Sequence, residues 1–221
     1  LIDPEPPCSL TSYGNAGVIS PWSCVPQSIP GLWKSLPKWV LDPKGPVSIR
    51  KKYLLKFLPW AIKFLKAGNL SKLDYISNAM LAISNNSVEN YRELLKGTGC
   101  DDLIKDAYYV HVYRNKSSAS LSQLSWQLRE KRQVPIELVH ANELQKLEPN
   151  LSNKFKAAIL IKGQGRATDP SLVGRAIFNK AMSLKVNVIN SKVHFFKPNP
   201  GNSFDIQLEN SLHSTKNIVI A

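Results

Sequence analysis

A short polar run near the amino end holds residue types that nucleotide chemistry uses. Thr11, Ser12, Gly14, Asn15, Ala16 and Gly17 fall within TSYGNAG. Hydroxyl and backbone N–H groups at Thr11 and Ser12 suit a pyrophosphate or a ring edge, and glycines at 14 and 17 permit positive φ and close approach of the backbone to a flat ligand. Ser, Asn, Gly and Tyr are also ordinary loop residues, so a plain surface turn is the competing reading. Upstream, apolar Leu1 and Ile2 run into Asp3, and the turn-rich PEPP follows. In a nucleotide-binding βαβ unit an acid at a strand's carboxyl end accepts from ribose hydroxyls, about twenty residues after a G-x-G-x-x-G turn. No such glycine fingerprint occurs in these 221 residues. With a strand at one end and the apolar run Ile218-Val219-Ile220-Ala221 at the other, the sequence reads as the central piece of a longer protein.

Other chemistry is harder to place. Cys8, Cys24 and Cys100 are odd in number and lack C-x-x-C spacing, which argues against a disulfide framework or a zinc site and fits a reducing compartment. His111, His140, His194 and His213 are scattered, as surface or satisfied core residues would be. Arg166, beside Gly163-x-Gly165, reads as a surface residue. KGQGRATDP lacks the glycine spacing of a phosphate loop. No residue is assigned as catalytic.

The charge is the second informative feature. A net +13 accompanies 43% hydrophobic and 20% charged residues, a composition that excludes disorder and leaves room for one large domain or parts of two. Between Asp42 and Asp74 there is no acid, but there are eight cations: Lys44, Arg50, Lys51, Lys52, Lys56, Lys63, Lys66 and Lys72. On a helical wheel Lys52, Lys56, Pro59, Lys63 and Lys66 share an arc of about 80° beside a largely apolar remainder. Residues 48–66 are thus a basic amphipathic segment, expected to kink or split at Pro59. An anionic membrane surface and a helix packed under its own domain with snorkelling lysines remain open as readings. Nucleic acid is the least favoured, because no recognised binding motif accompanies the charge. Lysines interrupt every apolar run before it reaches the length of a membrane span.

The elements that would position these residues follow from periodicity. Residues 71–96 have a helical pattern, interrupted at Asn85-Asn86 and stopped by Gly97. AYYVHVY (107–113) alternates like a strand, and 121–132 reads as a helix. A strand at 136–140, a helix at 141–147 and a strand at 157–162 come next. Asp169 caps a helix that opens at Pro170 and runs to about Leu184. Strands are predicted near 186–190, 192–197, 204–208 and 216–220.

Several stretches together resemble the FAD-dependent D-amino acid oxidase superfamily, and within it the bacterial D-amino acid dehydrogenases. They are TSYGNAG, Gly17-Val18-Ile19-Ser20-Pro21, Trp39-Val40-Leu41-Asp42-Pro43 with Gly45-Pro46, Phe57-Leu58-Pro59-Trp60, Tyr91-Arg92-Glu93-Leu94, Glu143-Leu144 with Leu147-Glu148-Pro149, and Asp169-Pro170. They are colinear through nearly the whole chain. One departure is Cys8, where the family commonly has glycine, so that the turn after Asp3 could be differently shaped.

The resemblance implies a mixed α/β, α+β fold: part of an FAD-binding Rossmann-like domain (residues 1–21 and 166–221) interleaved with an antiparallel-sheet substrate domain (22–165). It makes Asp3, Thr11, Ser12, Gly14, Asn15, Ala16 and Gly17 FAD contacts and puts the Val193 backbone near the adenine. It implies oxidative deamination of a D-amino acid to a 2-oxo acid and ammonia, with electrons passed to a quinone or other membrane acceptor. The setting would be cytoplasmic, peripheral on the inner face of the membrane. The main carboxylate-binding residues would lie beyond these 221 residues, which alone are expected to be inactive and to bind no stoichiometric FAD. A glycine, sarcosine or proline-derivative oxidase is the nearest alternative. A basic non-catalytic surface or nucleic-acid-binding domain is the alternative from another class.

Overall fold

The computed structural model describes residues 1–220 apart from Pro43 and Pro46, and of Lys51 only the backbone. Pro43 and Pro46 of the resemblance, and Ala221 at the end of the apolar run, lie outside the described residues. In chain order the elements are β1 (Val18–Ile19), α1 (Leu36–Leu41), α2 (Leu54–Ala67), α3 (Leu70–Ser84), α4 (Ser87–Leu95), β2 (Ile104–Tyr113), α5 (Leu124–Lys131), β3 (Ile136–His140), α6 (Ala141–Leu147), β4 (Ala157–Ala167), α7 (Pro170–Ser183), β5 (Val193–Asn199), β6 (Ser203–Leu208) and β7 (Leu212–Thr215). This is the mixed α/β fold with antiparallel sheets that the resemblance implies.

Two compact units share the chain. One holds residues 1–18, 90–105 and 166–221; the other holds 19–89 and 106–165. Residues 90–105, read from the sequence as part of the middle stretch, fall in the first of these.

In the unit of 19–89 and 106–165, β4 is the central strand of a four-stranded sheet ordered β1-β4-β2, with β3 also paired to β4. The β3–β4 register is antiparallel, Ile136 opposite Ile161 and His140 opposite Ala157. Because successive strand residues face opposite sides, Ala157, Ile159 and Ile161 join one cluster with Cys24, Trp126 and Val134. Ala158 and Leu160 join another with Val139 and Leu144. Burial on both faces explains the uninterrupted apolar run AAILI. His111 sits edge-on to Trp126 at 4.9 Å. Burial, with the nearby Arg129 charge, holds its imidazole below the usual histidine range, and its Nε2 has no hydrogen-bond partner among the described residues. It is therefore a core histidine, but not a fully satisfied one. Arg132 staples α3 to the end of α5, donating to Ser77 Oγ (3.1 Å) and to the Asp74 carbonyl and carboxylate (2.7 Å each). Hydrogen bonds from Lys131 and Arg132 hold the Asp74 carboxyl below the usual carboxylate range.

Helix ends follow the capping rules. Asn69 accepts from Ser71 N at 3.0 Å to open α3. Asp169 accepts from Leu172 N at 2.8 Å, with Pro170 as the first residue of α7. Asn85-Asn86 separates α3 from α4, and Gly97 takes a positive φ of 73° just past the end of α4. The split allowed for at Pro59 does not occur: α2 runs through Pro59 from Leu54 to Ala67, after a 3-10 turn at Lys51–Tyr53. Proline removes the donor that would reach the Leu55 carbonyl, and Leu55 is 81% exposed, so water can take that acceptor's place.

In the other unit, β5-β6-β7 form an antiparallel meander. The strand predicted at 216–220 is also corrected, since β7 is Leu212–Thr215 with Phe204 opposite Thr215. Register with β6 defined the strand there. Among the described residues, the more apolar ones that follow pair with no strand, and Val219 and Ile220 are exposed. The strands read at 1–3 and 186–190 reduce to one parallel bridge, Ile2 to Ile189.

Candidate functional site

The parallel bridge fixes Asp3. Its N–H donates to Ile189 O at 3.1 Å, while Ile189 N donates to Leu1 O at 2.9 Å. Asp3 therefore stands at the carboxyl end of a parallel pair, the place where open α/β sheets bind ligands. Its Oδ1 accepts from Glu5 N at 2.9 Å, and a carboxylate keeps further lone pairs beyond that one.

The chain then turns. Tyr13 N donates to Leu10 O at 3.0 Å, and Asn15 Oδ1 accepts from Gly17 N at 2.8 Å. Gly14 and Gly17 have φ of 72° and 65°, so both glycines of the run use the freedom that motivates them. Their surroundings differ. A Cβ on Gly14 would meet nothing within 4 Å, whereas one on Gly17 would lie 2.3 Å from Ala167 O and 3.2 Å from Pro170 Cγ. Gly17 O in turn accepts from Ala167 N at 2.7 Å. The close approach at Gly17 is thus to the end of β4, a packing reason additional to the one inferred from sequence. Thr11, Gly14, Asn15 and Ala16 are exposed and Ser12 is half-buried. Among the described residues, the backbone N–H groups of Ser12, Gly14 and Ala16 and the hydroxyls of Thr11 and Ser12 donate to no protein acceptor. A row of free donors beside an open glycine fits a cofactor with phosphate and ring-edge acceptors. Val193 opens β5, with Leu208 as its pairing partner.

Sequence reasoning missed what holds the loop from below. Cys8 adopts a left-handed φ of 61°, so the turn keeps a glycine-like conformation with cysteine in it. Its carbonyl accepts from Ser171 Oγ at 3.1 Å, and its sulfur sits over α7, where a Cβ on Gly174 would lie 2.2 Å from Sγ. The available signal was Gly174 itself, because a glycine inside a helical pattern usually has a packing reason. Gly174→Ala, stabilising by about 1 kcal/mol in an open helix, should here lower stability by about 1–3 kcal/mol through overpacking. Cys8→Gly should restore most of the loss, as a thermal-melt cycle over the two single variants and the double variant would read. Additive effects would sever the proposed contact.

Among the described residues no group of three or more His, Cys, Asp or Glu could hold a metal ion, and no helix is long and apolar enough to cross a membrane.

The sequence model of one protein family, described as "DAO: FAD dependent oxidoreductase", matches residues 1–221. The chain belongs to this family. FAD is accordingly its cofactor, and the colinear resemblance read from the sequence is borne out at the level of the family. The chain is 31% identical over 195 residues to a D-amino-acid oxidase of Bradyrhizobium diazoefficiens, an alignment covering 87% of this chain and 46% of that protein. The chain therefore spans about half the length of this curated relative. Among solved structures, glycine oxidase from Bacillus cereus aligns with 99% of this chain and 48% of its own at a TM-score of 0.56 and 16% identity. Glycine oxidase from Geobacillus kaustophilus aligns with 97% of this chain and 46% of its own, at 0.56 and 14%. These structures support the fold of this DAO-family chain.

Proposed function

We propose that the intact protein is an FAD-dependent dehydrogenase of D-amino acids that passes electrons to a quinone or other acceptor in the cytoplasmic membrane. The observation that carries the reading is the loop of exposed donors around Gly14, entered from an acid at the carboxyl end of a parallel pair. The likeness to a D-amino-acid oxidase supports the substrate class. When bound, FAD would accept a hydride from the substrate α-carbon, leaving an imine that water converts to a 2-oxo acid and ammonia. In this reading Asp3 accepts from the ribose hydroxyls, Thr11 and Ser12 offer hydroxyl and N–H donors, and Gly14 leaves space for a flat ring. The Val193 backbone would lie near the adenine. Residues 1–21 and 166–221 would serve the cofactor, and 22–165 the substrate.

A panel of D- and L-amino acids, glycine, sarcosine and proline derivatives tests this with the intact protein. Anaerobic bleaching of the flavin band by D-amino acids, with slow re-oxidation by oxygen and fast re-oxidation by a quinone analogue, is the expected pattern. Bleaching confined to glycine, sarcosine or a proline derivative would replace the substrate assignment. Rapid re-oxidation by oxygen would make the enzyme an oxidase.

Asp3→Ala removes one charge-assisted hydrogen bond, worth about 1.5–3 kcal/mol and so about 10–150-fold in FAD affinity. Turnover at saturating FAD should remain near normal, which a flavin titration alongside steady-state rates would show.

A further inference from the structure

The 3-10 turn at Leu32–Lys34, α1 and α2 contain no buried residue among those described. Large apolar side chains stand in water along all three, including Trp33, Leu41, Leu55, Trp60 and Ile62, each more than half exposed. On α2 itself Leu55, Leu58 and Ile62 recur at i, i+3 and i+7 on one side of the helix, and an exposed apolar strip of this kind marks an interaction site. The same stretch is strongly cationic. Between Glu5 and Asp74 the sequence has ten Lys and Arg and a single acid, Asp42.

Geometry separates the competing readings of the basic segment. A helix packed under its own domain would bury its apolar side, yet in α2 only Phe57, Ala61, Phe64, Leu65 and Ala67 are even half-buried. The helix is anchored at its last turn, where Ser28 Oγ donates to Phe64 O at 2.5 Å. The outer arc is left free. There Lys56, Lys63 and Lys66, with Lys52 of the 3-10 turn just before the helix, form a central row, none in an ion pair among the described residues. Leu55, Leu58 and Ile62 flank the row on one side. On the other, Trp60 stacks on Phe64 at 5.0 Å and 16°. Nucleic acid would satisfy the cations and leave the leucines and isoleucine wet. A bilayer with anionic headgroups satisfies both, because cations meet the headgroups while apolar and indole groups enter the interface.

We propose that residues 52–67 dock the protein on an anionic phospholipid bilayer, with the lysine row of α2 and the 3-10 turn before it over the headgroups and the flanking apolar side chains in the interface. The inference rests on the membrane-acceptor part of the proposed function for its purpose. Vesicle binding needs neither flavin nor substrate, so the two can fail separately.

The test is co-sedimentation of the intact protein with vesicles of phosphatidylcholine alone or mixed with phosphatidylglycerol. Each near-surface cation contributes about fivefold to partition onto an anionic surface, so replacing Lys52, Lys56, Lys63 and Lys66 by Gln should weaken binding about a thousandfold. Raised salt should weaken binding by the unaltered protein. A second variant, Leu55→Ser with Ile62→Ser, should lose at least tenfold, including in high salt where lipid insertion dominates. All six side chains are exposed, so circular dichroism should be unchanged. Equal binding to neutral vesicles, or unaltered binding by the lysine variant, would overturn the proposal. Salt-sensitive binding to duplex DNA in place of vesicles would assign the patch to nucleic acid.

Discussion

Replacing Gly17 by valine should damage the fold and the flavin site together. Gly17 holds φ at 65°, and a Cβ there would lie 2.3 Å from the carbonyl oxygen of Ala167, a backbone atom at the end of β4 that cannot swing aside. Left-handed backbone at a non-glycine residue costs about 1–2 kcal/mol, and overpacking adds about 1–3 kcal/mol. Together these should lower the melting temperature by roughly 4–20 °C in a domain of this size. From the sequence, Gly17 is tied to close approach of a flat ligand; the structure adds that the backbone crowding Gly17 belongs to the protein itself. Gly14 is the cleaner probe. With φ of 72° and nothing within 4 Å of a Cβ, Gly14→Val should cost only the backbone strain, yet fill the space that the proposed function reserves for a flat ring. Near-native melting with loss of the flavin band is the expected result. Full flavin occupancy in Gly14→Val would move the cofactor away from this loop.

Ile159→Ala should be the most damaging of the conservative core truncations. Ile159 is fully buried near the start of β4, packed in the cluster with Trp126 and Cys24. Removing a large aliphatic side chain from such a site costs about 2–5 kcal/mol, the spread reflecting how far the cavity can collapse. A melting temperature lowered by roughly 4–20 °C is expected. Leu55→Ala is the control, since exposed substitutions usually stay within about 0.5 kcal/mol. Equal loss in both variants would mean that α2 is buried in solution.

Local chemistry was legible without coordinates wherever a residue's neighbours in sequence are also its partners in space. Asp169 caps α7 through Leu172 three residues away, and Asn85-Asn86 breaks the helical pattern where its rhythm fails. The glycine-punctuated loop and the cation-rich segment were readable as well, because positive φ and charge are properties of single residues. The colinear motifs were enough to identify the family.

What needed the tertiary structure was every contact between residues distant in sequence. That Gly17 is crowded by Ala167, and that Cys8 rests on Gly174, depends on chain segments about 150 residues apart meeting within one unit. β7 took Leu212–Thr215 in preference to the more apolar residues after it because hydrogen-bond register with β6 outweighs local hydrophobicity. Pro59 was accommodated inside α2 because an exposed carbonyl can turn to water. Amphipathic pattern alone cannot say which apolar side chains the fold covers, and only the fold showed that Phe57, Phe64 and Leu65 of α2 are half-buried within these residues while Leu55, Leu58 and Ile62 are exposed.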